Sequence, residues 1–254
     1  MDQFYTNPDV SAYCYNKLTA IIDINDYDIM LEPSAGTGSF YNIMPKDKRI
    51  GIDIEPKSHG ILQMDYFKYQ PRKGKTYITM GNPPFGRVSS TAVKFFNYSA
   101  TFSQIIAFII PRTFKRVSIQ NQLNLNFHLI YSNDLPLIPC CFTPKMNAKC
   151  CFQIWQKKDF RRTLTLYAKT HSDFAFLKFG ALDEKGQPTP PIGADFACKA
   201  YGANCGEIIT EDLENLRPKS WHWIKSRIDV KILIDRFNTL DYSISKDTVR
   251  QDSI

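Results

Sequence analysis

Residues 27–40 read Tyr-Asp-Ile-Met-Leu-Glu-Pro-Ser-Ala-Gly-Thr-Gly-Ser-Phe, "YDIMLEPSAGTGSF". The apolar run "IMLE" predicts a buried strand, and the small residues behind it predict a tight turn and then the start of a helix. Gly36 and Gly38 would let the backbone approach a ligand that a Cβ excludes, and the helix N-terminus would offer amide donors. Glu32, which ends the strand, would repel a pyrophosphate but could accept hydrogen bonds from an ammonium group.

The next predicted strand, "RIGIDIEP", places Asp53 twenty-one residues after Glu32. This interval is close to the one at which α/β nucleotide-binding folds present a carboxylate to ribose hydroxyls. The following segment, "ILQMDYF", adds Asp65, with Tyr66 or Phe67 available to flank an adenine ring. A strand-end acid is usually solvated and a Tyr-Phe pair usually lies in the core, so each residue also has an ordinary explanation. Their order along the chain favours a nucleotide-like ligand.

Short apolar runs alternate with amphipathic stretches from about residue 28 to 155. This alternation predicts an α/β fold with helices on both faces of a mostly parallel central sheet. "PDVSAYCYNKLTAII" at 8–22 predicts a helix leading into the sheet, with Asp9 or Ser11 as its cap. The strand-like runs are "IMLE", "IGIDI", "TYITM", "IIAFII", "FHLIYSN" and "CCFQIW".

The length of 254 residues, with 43% hydrophobic and 22% charged residues, fits one large domain with a small appendage. The strand pattern weakens beyond residue 160, which predicts a first domain over 1–160 and a small C-terminal extension over 161–254. In the extension, "SWHWIK" at 220–225 could contact a nucleic-acid strand or simply pack inside the fold.

The N-terminal residues "MDQFYTNPDV" lack a basic segment followed by an apolar one, and the run "IIAFII" is too short to cross a bilayer. We therefore expect a protein that is not secreted and has no membrane partner, located in the cytoplasm or, if its partner is a nucleic acid, wherever that nucleic acid lies. Seven cysteines, an odd number, argue against a disulfide framework. The doublets Cys140-Cys141 and Cys150-Cys151 lack the Cys-x2-Cys spacing of zinc sites, so no metal is predicted.

The net charge of +7, from 32 Lys and Arg against 25 Asp and Glu, favours a polyanionic partner such as nucleic acid. The excess is concentrated in two stretches, although solvated loop surfaces would explain both equally well. These stretches contain Lys68, Arg72, Lys73 and Lys75, and then Lys145, Lys149, Lys157, Lys158, Arg161 and Arg162.

The stretch "TMGNPPFG" at 79–86 follows the apolar run "TYIT". Proline lacks a backbone donor and ends a strand, while glycine permits tight backbone paths. The stretch therefore predicts a stiff loop at the end of a strand.

The segments "FYTNPDV", "LEPSAGTGSF", "GIDIEP", "DYF" and "NPPF" follow one another between residues 4 and 85. In this the chain resembles the class I S-adenosylmethionine-dependent methyltransferases, and among them the amino-methyltransferases that act on adenine N6. The order of the segments is similar to the gamma arrangement of the DNA enzymes with an NPPF or NPPY motif. With a looser match of strand pattern to residue 155, the resemblance covers roughly 60% of the chain.

This resemblance implies a Rossmann-like methyltransferase fold, with residues 1–160 as the S-adenosylmethionine-binding catalytic domain and residues 161–254 as a substrate-recognition region. It also implies a cofactor site in which each matching position has a role. The methionine end of the cofactor would be lined by Tyr5 and Thr6, and its amino-acid part would be held by Glu32, Pro33, Ala35, Gly36 and Gly38. Asp53 would bind the ribose and Ile54 would pack on the adenine. The adenine edge would be fixed by Asp65 with Tyr66.

The stiff loop can be interpreted chemically in this setting. An exocyclic amine on an aromatic ring is a poor nucleophile, so a catalyst must hold its nitrogen in line with the methyl donor. The side-chain oxygen of Asn82, which also borders the cofactor, could accept one N–H, and the carbonyl of Pro83 could accept the other. Pro84 stiffens the loop, and Phe85 could stack on the base, which contributes about 1–3 kcal/mol.

The leading hypothesis is therefore adenine-N6 methylation of a flipped or unpaired base in DNA. The alternatives are the same reaction on RNA, methylation of protein glutamine, and a non-catalytic nucleic-acid-binding subunit. Phe142 is the candidate for a second stacking aromatic, or else a core residue, and Lys145 and Lys149 are candidates for contacts to the substrate. Because the region after Trp155 is short for a recognition domain, a partner subunit could supply the target specificity.

Overall fold

A computed structural model describes residues 4–146, 148–166 and 170–243. The chain divides into two compact units, Met1–Thr165 and Leu166–Ile254. Among the described residues, none of the helices has the length and apolar character needed to cross a membrane.

The first unit consists of nine strands and three helices within its described residues. In chain order these are β1 (Tyr5–Thr6), α1 (Pro8–Ile21), β2 (Ile29–Glu32), β3 (Arg49–Asp53), β4 (Leu62–Gln63), β5 (Tyr77–Gly81), α2 (Ser90–Ser99), β6 (Ile105–Pro111), α3 (Val117–Gln120), β7 (Phe127–Asp134), β8 (Phe142–Thr143) and β9 (Cys150–Lys157).

Seven of these strands form one sheet in the order β4-β3-β2-β5-β6-β9-β7. The strands from β4 to β6 are parallel, and β9 runs antiparallel to both of its neighbours. The strand order reverses between β2 and β5, as in doubly wound nucleotide-binding sheets. The predicted Rossmann-like α/β fold with a mostly parallel sheet is confirmed, as are all six predicted strands.

Both faces of the sheet are covered, because successive side chains of each strand point to opposite sides. Ile29 and Leu31 lie in a core cluster with Phe96 of α2, whereas Met30 lies in a second cluster with Leu18 of α1. Helices therefore pack on both faces, as the alternating pattern predicted. Strand β6 is buried from Ile105 to Ile110, which explains its continuous apolar sequence.

The predicted helix at 8–22 forms, but its cap differs from the prediction. Asn7 is the N-cap residue and Pro8 follows it, while Ser11 lies inside the helix and donates to the carbonyl of Pro8 over 2.9 Å. Asp9 also lies within the first turn. Proline suits this position because its fixed φ is already helical and its missing N–H would have no helical partner.

The prediction of a helix after the glycine turn is wrong. The chain forms only a 3-10 turn over Tyr41–Ile43, and Met44 is already extended. Pro45 explains the short turn, because proline disfavours helical geometry in the residue before it. The N–H groups of this turn are used within the fold, because Asn42 donates to the carbonyl of Gly38 and Ile43 donates to that of Phe40.

The second unit contains β10 (Phe174–Phe176), β11 (Phe196–Lys199), β12 (Ile208–Ile209), β13 (Trp221–Ser226) and α4 (Val230–Asn238). Its strands form an antiparallel sheet in the order β10-β13-β11-β12. Leu233 and Phe237 of α4 pack on one face, and Trp221 and Trp223 are buried in a separate cluster. Of the two interpretations of "SWHWIK", internal packing is correct for both tryptophans.

Candidate functional site

Three polar side chains follow neighbouring strands at the same edge of the large sheet. Glu32 is the last residue of β2, Asp53 is the last residue of β3, and Asn82 comes directly after β5. Because these strands are parallel neighbours, their carboxyl ends meet at one edge, beside the point where the strand order reverses. The sheet therefore brings together residues that lie fifty positions apart in the chain.

The glycine turn and the end of β3 are joined by a hydrogen bond. The Gly36 N–H donates to Asp53 Oδ2 over 2.7 Å, and the Glu55 N–H donates to Asp53 Oδ1 over 2.8 Å. Gly36 has φ of 47°, and a Cβ there would lie only 2.7 Å from Tyr5 Cε1. Glycine is thus required for the close approach of Tyr5, and the Asp53 carboxylate is held in one orientation. Ala35 and Gly38 are buried in the same turn.

Beyond Asp53, an apolar surface is available to a ligand. The Ile54 side chain is 71% exposed, and Asp65 lies nearby because Asp53 pairs with Gln63 of β4. One carboxylate oxygen of Asp65 accepts the N–H of Phe67 over 3.0 Å.

The Tyr66 side chain is buried, so a role at the adenine edge would fall to its backbone. Tyr66 is 2% exposed, stacks on Phe95 with ring centroids 5.1 Å apart, and forms a 2.7 Å hydrogen bond to Ser99. Its ring therefore belongs to the core cluster that includes Phe95 and Phe96 of α2. Phe67, at 39% exposure, is the accessible aromatic of the pair.

Glu32 is a buried carboxyl group, with 2% exposure. Burial raises its pKa well above the ordinary value of 4.5, against the hydrogen bonds donated by the N–H groups of Tyr41 and Phe40, and the charge of Asp53 raises it further. The Tyr41 N–H lies 2.6 Å from Glu32 Oε2. A nearby cation would favour the ionised form of such a group. Pro33, which follows it, is also buried.

The raised pKa of Glu32 leads to a prediction for stability in the absence of ligand. The folded state binds this proton more tightly than the unfolded state, so the stabilisation is complete below about pH 4.5 and is lost as the pH rises through the folded-state pKa. Glu32→Gln keeps an acceptor for the Tyr41 N–H but removes the titration. Its free energy of unfolding relative to wild type should increase with pH, by about 1.4 kcal/mol for each tenfold difference in proton affinity.

Urea unfolding from about pH 5 to about pH 9 measures this difference. Glu55→Gln is the control, because Glu55 is an exposed acid paired with Lys57. A constant difference between Glu32→Gln and wild type over this range would contradict the buried-acid interpretation.

The loop after β5 presents a buried acceptor without a partner. Asn82 Nδ2 donates to the Phe4 carbonyl over 3.4 Å, and the backbone carbonyl of Asn82 accepts from Ser34 Oγ over 3.0 Å. Asn82 Oδ1 is buried and has no hydrogen-bond partner among the described residues, and the same is true of Thr6 Oγ1. An unsatisfied buried polar atom costs about 1–3 kcal/mol, so these two oxygens are suited to receive donors from a ligand.

The rest of the loop is rigidly held. Pro83 is buried, and Pro84 and Phe85 are half-buried, with Phe85 packed against the core cluster on the α1 face of the sheet. Gly86 has φ of 69°, and a Cβ there would lie 2.1 Å from Thr91 Oγ1. Only glycine fits at this position, so the path from Asn82 into α2 is fixed by local sterics.

The N-terminal segment reaches this edge through a separate two-stranded pairing. In the β1–β8 ribbon, Tyr5 is opposite Thr143 and Thr6 is opposite Phe142. Phe142 is 3% exposed and lies in the core, so its ring is covered by protein and does not offer a stacking face. This corresponds to its alternative interpretation as a core residue. Of the two lysines proposed for the substrate, Lys145 is exposed and Lys149 is half-buried.

Two residues of the site have no counterpart in the sequence-based prediction. Ser34 connects the glycine turn to the backbone of Asn82, and the Phe4 carbonyl orients the Asn82 amide. A small hydroxyl residue within "EPSAG" was the available signal for Ser34. The Phe4 contact uses only backbone and leaves no signal in the sequence.

The seven cysteines are free thiols. In the part of the chain that the structure describes, no group of three or more His, Cys, Asp or Glu side chains is arranged to hold a metal ion.

No protein-family model matches the chain, and no curated protein matches its sequence. Among solved structures, a Pyrococcus horikoshii protein proposed as an RNA methyltransferase matches 61% of this chain and 87% of its own, with 14% identity and a TM-score of 0.43. The 23S rRNA methyltransferase ErmE matches 63% of this chain and 71% of its own, with 13% identity and a TM-score of 0.44. A Listeria monocytogenes protein proposed as a class I S-adenosylmethionine-dependent methyltransferase matches 63% of each chain, with 14% identity and a TM-score of 0.45.

Proposed function

We propose that this protein is an S-adenosylmethionine-dependent methyltransferase that modifies the exocyclic N6 amine of adenine in nucleic acid, with DNA as the leading substrate. The observation that carries the proposal is Asn82 Oδ1, a buried acceptor that has no partner among the described residues and lies at the carboxyl end of a central parallel strand. An amide oxygen in this position is suited to an amine N–H, because it restores the hydrogen bond that the folded protein lacks.

The residues around Asn82 fit the cofactor. Gly36 allows close backbone approach, and each oxygen of Asp53 accepts one backbone N–H and retains capacity for a ribose hydroxyl. Ile54 offers an exposed apolar surface for the adenine, and the Glu32 carboxyl can ionise when an ammonium group approaches. We assign Tyr5 and Thr6 to the methionine end, since Tyr5 contacts the glycine turn and Thr6 Oγ1 is an available acceptor.

The chemistry assigned to the loop is orientation of the amine. Asn82 Oδ1 would accept one N–H and the Pro83 carbonyl the other, so that the nitrogen lone pair turns out of the ring and toward the methyl donor. The Asn82 amide is already held by Phe4, and its backbone by Ser34, so little freedom is lost when the amine binds. When bound, the cofactor supplies an electrophilic methyl group on a sulfonium that leaves as a neutral thioether.

The half-buried ring of Phe85 is the proposed stacking surface for the base. Stacking is sequence-tolerant and worth about 1–3 kcal/mol for each base. A base within a duplex must leave the stack to reach this loop, whereas an unpaired base does not carry that cost.

Incubation of the purified protein with methyl-labelled cofactor and a panel of DNA, RNA and protein acceptors tests the proposal. Digestion of the DNA to nucleosides should release labelled N6-methyldeoxyadenosine. Label confined to RNA would show that the substrate is RNA and that the proposed reaction on adenine is correct. Label on glutamine of the protein acceptor would refute adenine as the target. No label in any acceptor, with no cofactor binding by calorimetry, would refute the methyltransferase assignment.

A further inference from the structure

The positive charge of the protein is concentrated in one part of the chain. Residues 87–162 contain eleven Lys or Arg and two Asp, whereas residues 4–86 contain nine of each sign. The first half of the large sheet is therefore neutral overall, and the half that contains β6, β7 and β9 is strongly basic. A polyanion is attracted to the second half.

Strand β9 separates the basic run of 145–162 into two groups. Lys145 and Lys149 come before the strand, and Lys149 adjoins Cys150, which pairs with Pro111 at the carboxyl end of β6. Lys157 and Lys158 come at or after its other end, about 25 Å away at roughly 3.3 Å per residue. The sequence cluster is thus not one surface.

The structure adds four basic residues to the group that contains Lys145 and Lys149. They follow β5 and β6 in the turns 87–89 and 112–116, at the same sheet edge as Asn82. We define the basic rim as Arg87, Arg112, Lys115, Arg116, Lys145 and Lys149.

Short contacts connect the basic rim to the Asn82 loop. Ser89 Oγ and Thr113 Oγ1 are 2.6 Å apart, which joins the turn after the loop to the turn after β6. The Arg112 N–H donates to the Lys149 carbonyl over 3.0 Å, which joins that turn to the segment before β9. The rim therefore continues from the loop along the edge toward β9.

An acidic residue of this region pairs with two members of the rim. Asp134, at the end of β7, lies 3.4 Å from Arg112 Nε and 2.5 Å from Lys115 Nζ. Arg87 and Lys145 are exposed, and the excess of eleven Lys or Arg over two Asp within residues 87–162 leaves positive charge on this side of Asn82. On the other side of Asn82, the same edge carries Asp53 and the buried carboxyl group of Glu32.

We infer that the basic rim binds backbone phosphates of the nucleic-acid strand whose adenine enters the Asn82 loop. The inference rests on the proposed function and adds the path of the substrate: the strand runs over the carboxyl ends of β6 and β9, away from Glu32 and Asp53. Phosphate contacts of this kind fix the register of the strand and carry no sequence information.

The test compares two triple variants that remove the same charge. Arg87→Gln, Lys115→Gln and Lys145→Gln together neutralise three exposed members of the rim, and Lys157→Gln, Lys158→Gln and Arg161→Gln together neutralise the group at the opposite end of β9. Arg162 is kept in both, because its guanidinium donates to the carbonyls of Phe127 and Gln120. Calorimetric binding of S-adenosylmethionine and thermal unfolding check that both proteins are folded.

Fluorescence anisotropy of a labelled single-stranded DNA oligonucleotide then measures affinity as a function of salt. Loss of three phosphate contacts makes the negative slope of log K against log salt shallower by about 2. Between about 50 and about 200 mM salt, the affinity of the variant should therefore fall by a factor roughly twenty times smaller than that of wild type. We expect this change in the rim variant and an unchanged slope in the opposite-end variant.

Equal slopes in the two variants would overturn the inference, as would competition by poly-L-glutamate as strong as that by unlabelled DNA, which would indicate an acidic protein partner. Binding without any transfer of methyl groups would refute the proposed function and leave the rim intact. Methyl transfer together with a salt slope that is the same in the rim variant and in wild type would support the proposed function and refute the role of the rim.

Discussion

Asn82→Ala is expected to lower the rate of methyl transfer at saturating substrate by about a hundredfold to a thousandfold. This is the effect of removing one preorganised hydrogen-bonding group from an active site. The variant removes the buried Oδ1 acceptor that would orient the amine. It leaves the Asp53 carboxylate and the glycine turn untouched, so cofactor affinity should change little. Single-turnover methylation of an adenine-containing oligonucleotide and calorimetry with S-adenosylmethionine measure the two quantities separately.

Two further variants sharpen the interpretation. Asn82→Asp retains an acceptor oxygen but loses the donor to Phe4, so it should keep more activity than Asn82→Ala if the acceptor is what matters. Asn97→Ala is the matched control, because the Asn97 amide also donates to a backbone carbonyl, of Gln122, while its Oδ1 accepts from Asn124. A loss of activity in Asn97→Ala equal to that in Asn82→Ala would indicate a general folding defect and contradict the assigned role.

The sheet could be predicted from the sequence because its strands are nearly continuous apolar runs. "IIAFII" is buried on both faces, and such a run is typical of a central strand in an α/β fold with helices on both faces of the sheet. The carboxylates of Glu32 and Asp53 could be located for the same reason: each follows directly after such a run, so its place at the carboxyl edge is a consequence of strand direction.

The direction of individual side chains could not be predicted at the same level. Tyr66 and Phe67 are adjacent aromatic residues, and nothing in "MDYFK" states which ring enters the core. The 3-10 turn that begins at Tyr66 decides it, since Tyr66 reaches Ser99 of α2 while Phe67 remains partly exposed. The burial of Phe142 could not be predicted for a similar reason. Its pairing partner, Thr6, lies 136 positions away in the chain.

The grouping of the basic residues could not be predicted from the sequence either. Proximity in sequence grouped Lys145 with Arg161, whereas strand β9 separates them, and Arg112 joins Lys149 through a backbone hydrogen bond that no sequence pattern announces. Proximity in sequence thus does not predict which basic residues share one edge of the sheet.

The connection between the glycine turn and the Asn82 loop is also a property of the folded protein. Ser34 donates to the Asn82 carbonyl from within the turn that Asp53 holds through Gly36. The proposed cofactor and base sites consequently share one hydrogen-bonded frame, and variants must be chosen so that a defect in one site can be separated from a defect in the other.

Asp53→Ala is expected to show the reverse pattern from Asn82→Ala, with cofactor affinity lost first. The Asp53 carboxylate is the proposed acceptor for two ribose hydroxyls, and hydrogen bonds to a charged group contribute about 1.5–3 kcal/mol each. Loss of both should weaken binding by about 3 kcal/mol or more, which is roughly a hundredfold increase in Kd. Calorimetric titration with S-adenosylmethionine measures this increase, and saturating cofactor should recover a large part of the methylation rate.

Asp53 also accepts the N–H groups of Gly36 and Glu55, so a structural effect has to be separated from a loss of binding. Asp28→Ala provides the comparison, because Asp28 lies just before β2 at the opposite edge of the sheet and accepts the Thr76 N–H over 2.9 Å. Both variants should lower the free energy of unfolding, since each removes a carboxylate that holds backbone, but only Asp53→Ala should weaken the cofactor complex. If Asp28→Ala raised Kd as much as Asp53→Ala, or if Asp53→Ala bound the cofactor like wild type, the ribose would have to contact another group, and the assignment of the β3 carboxylate would be wrong.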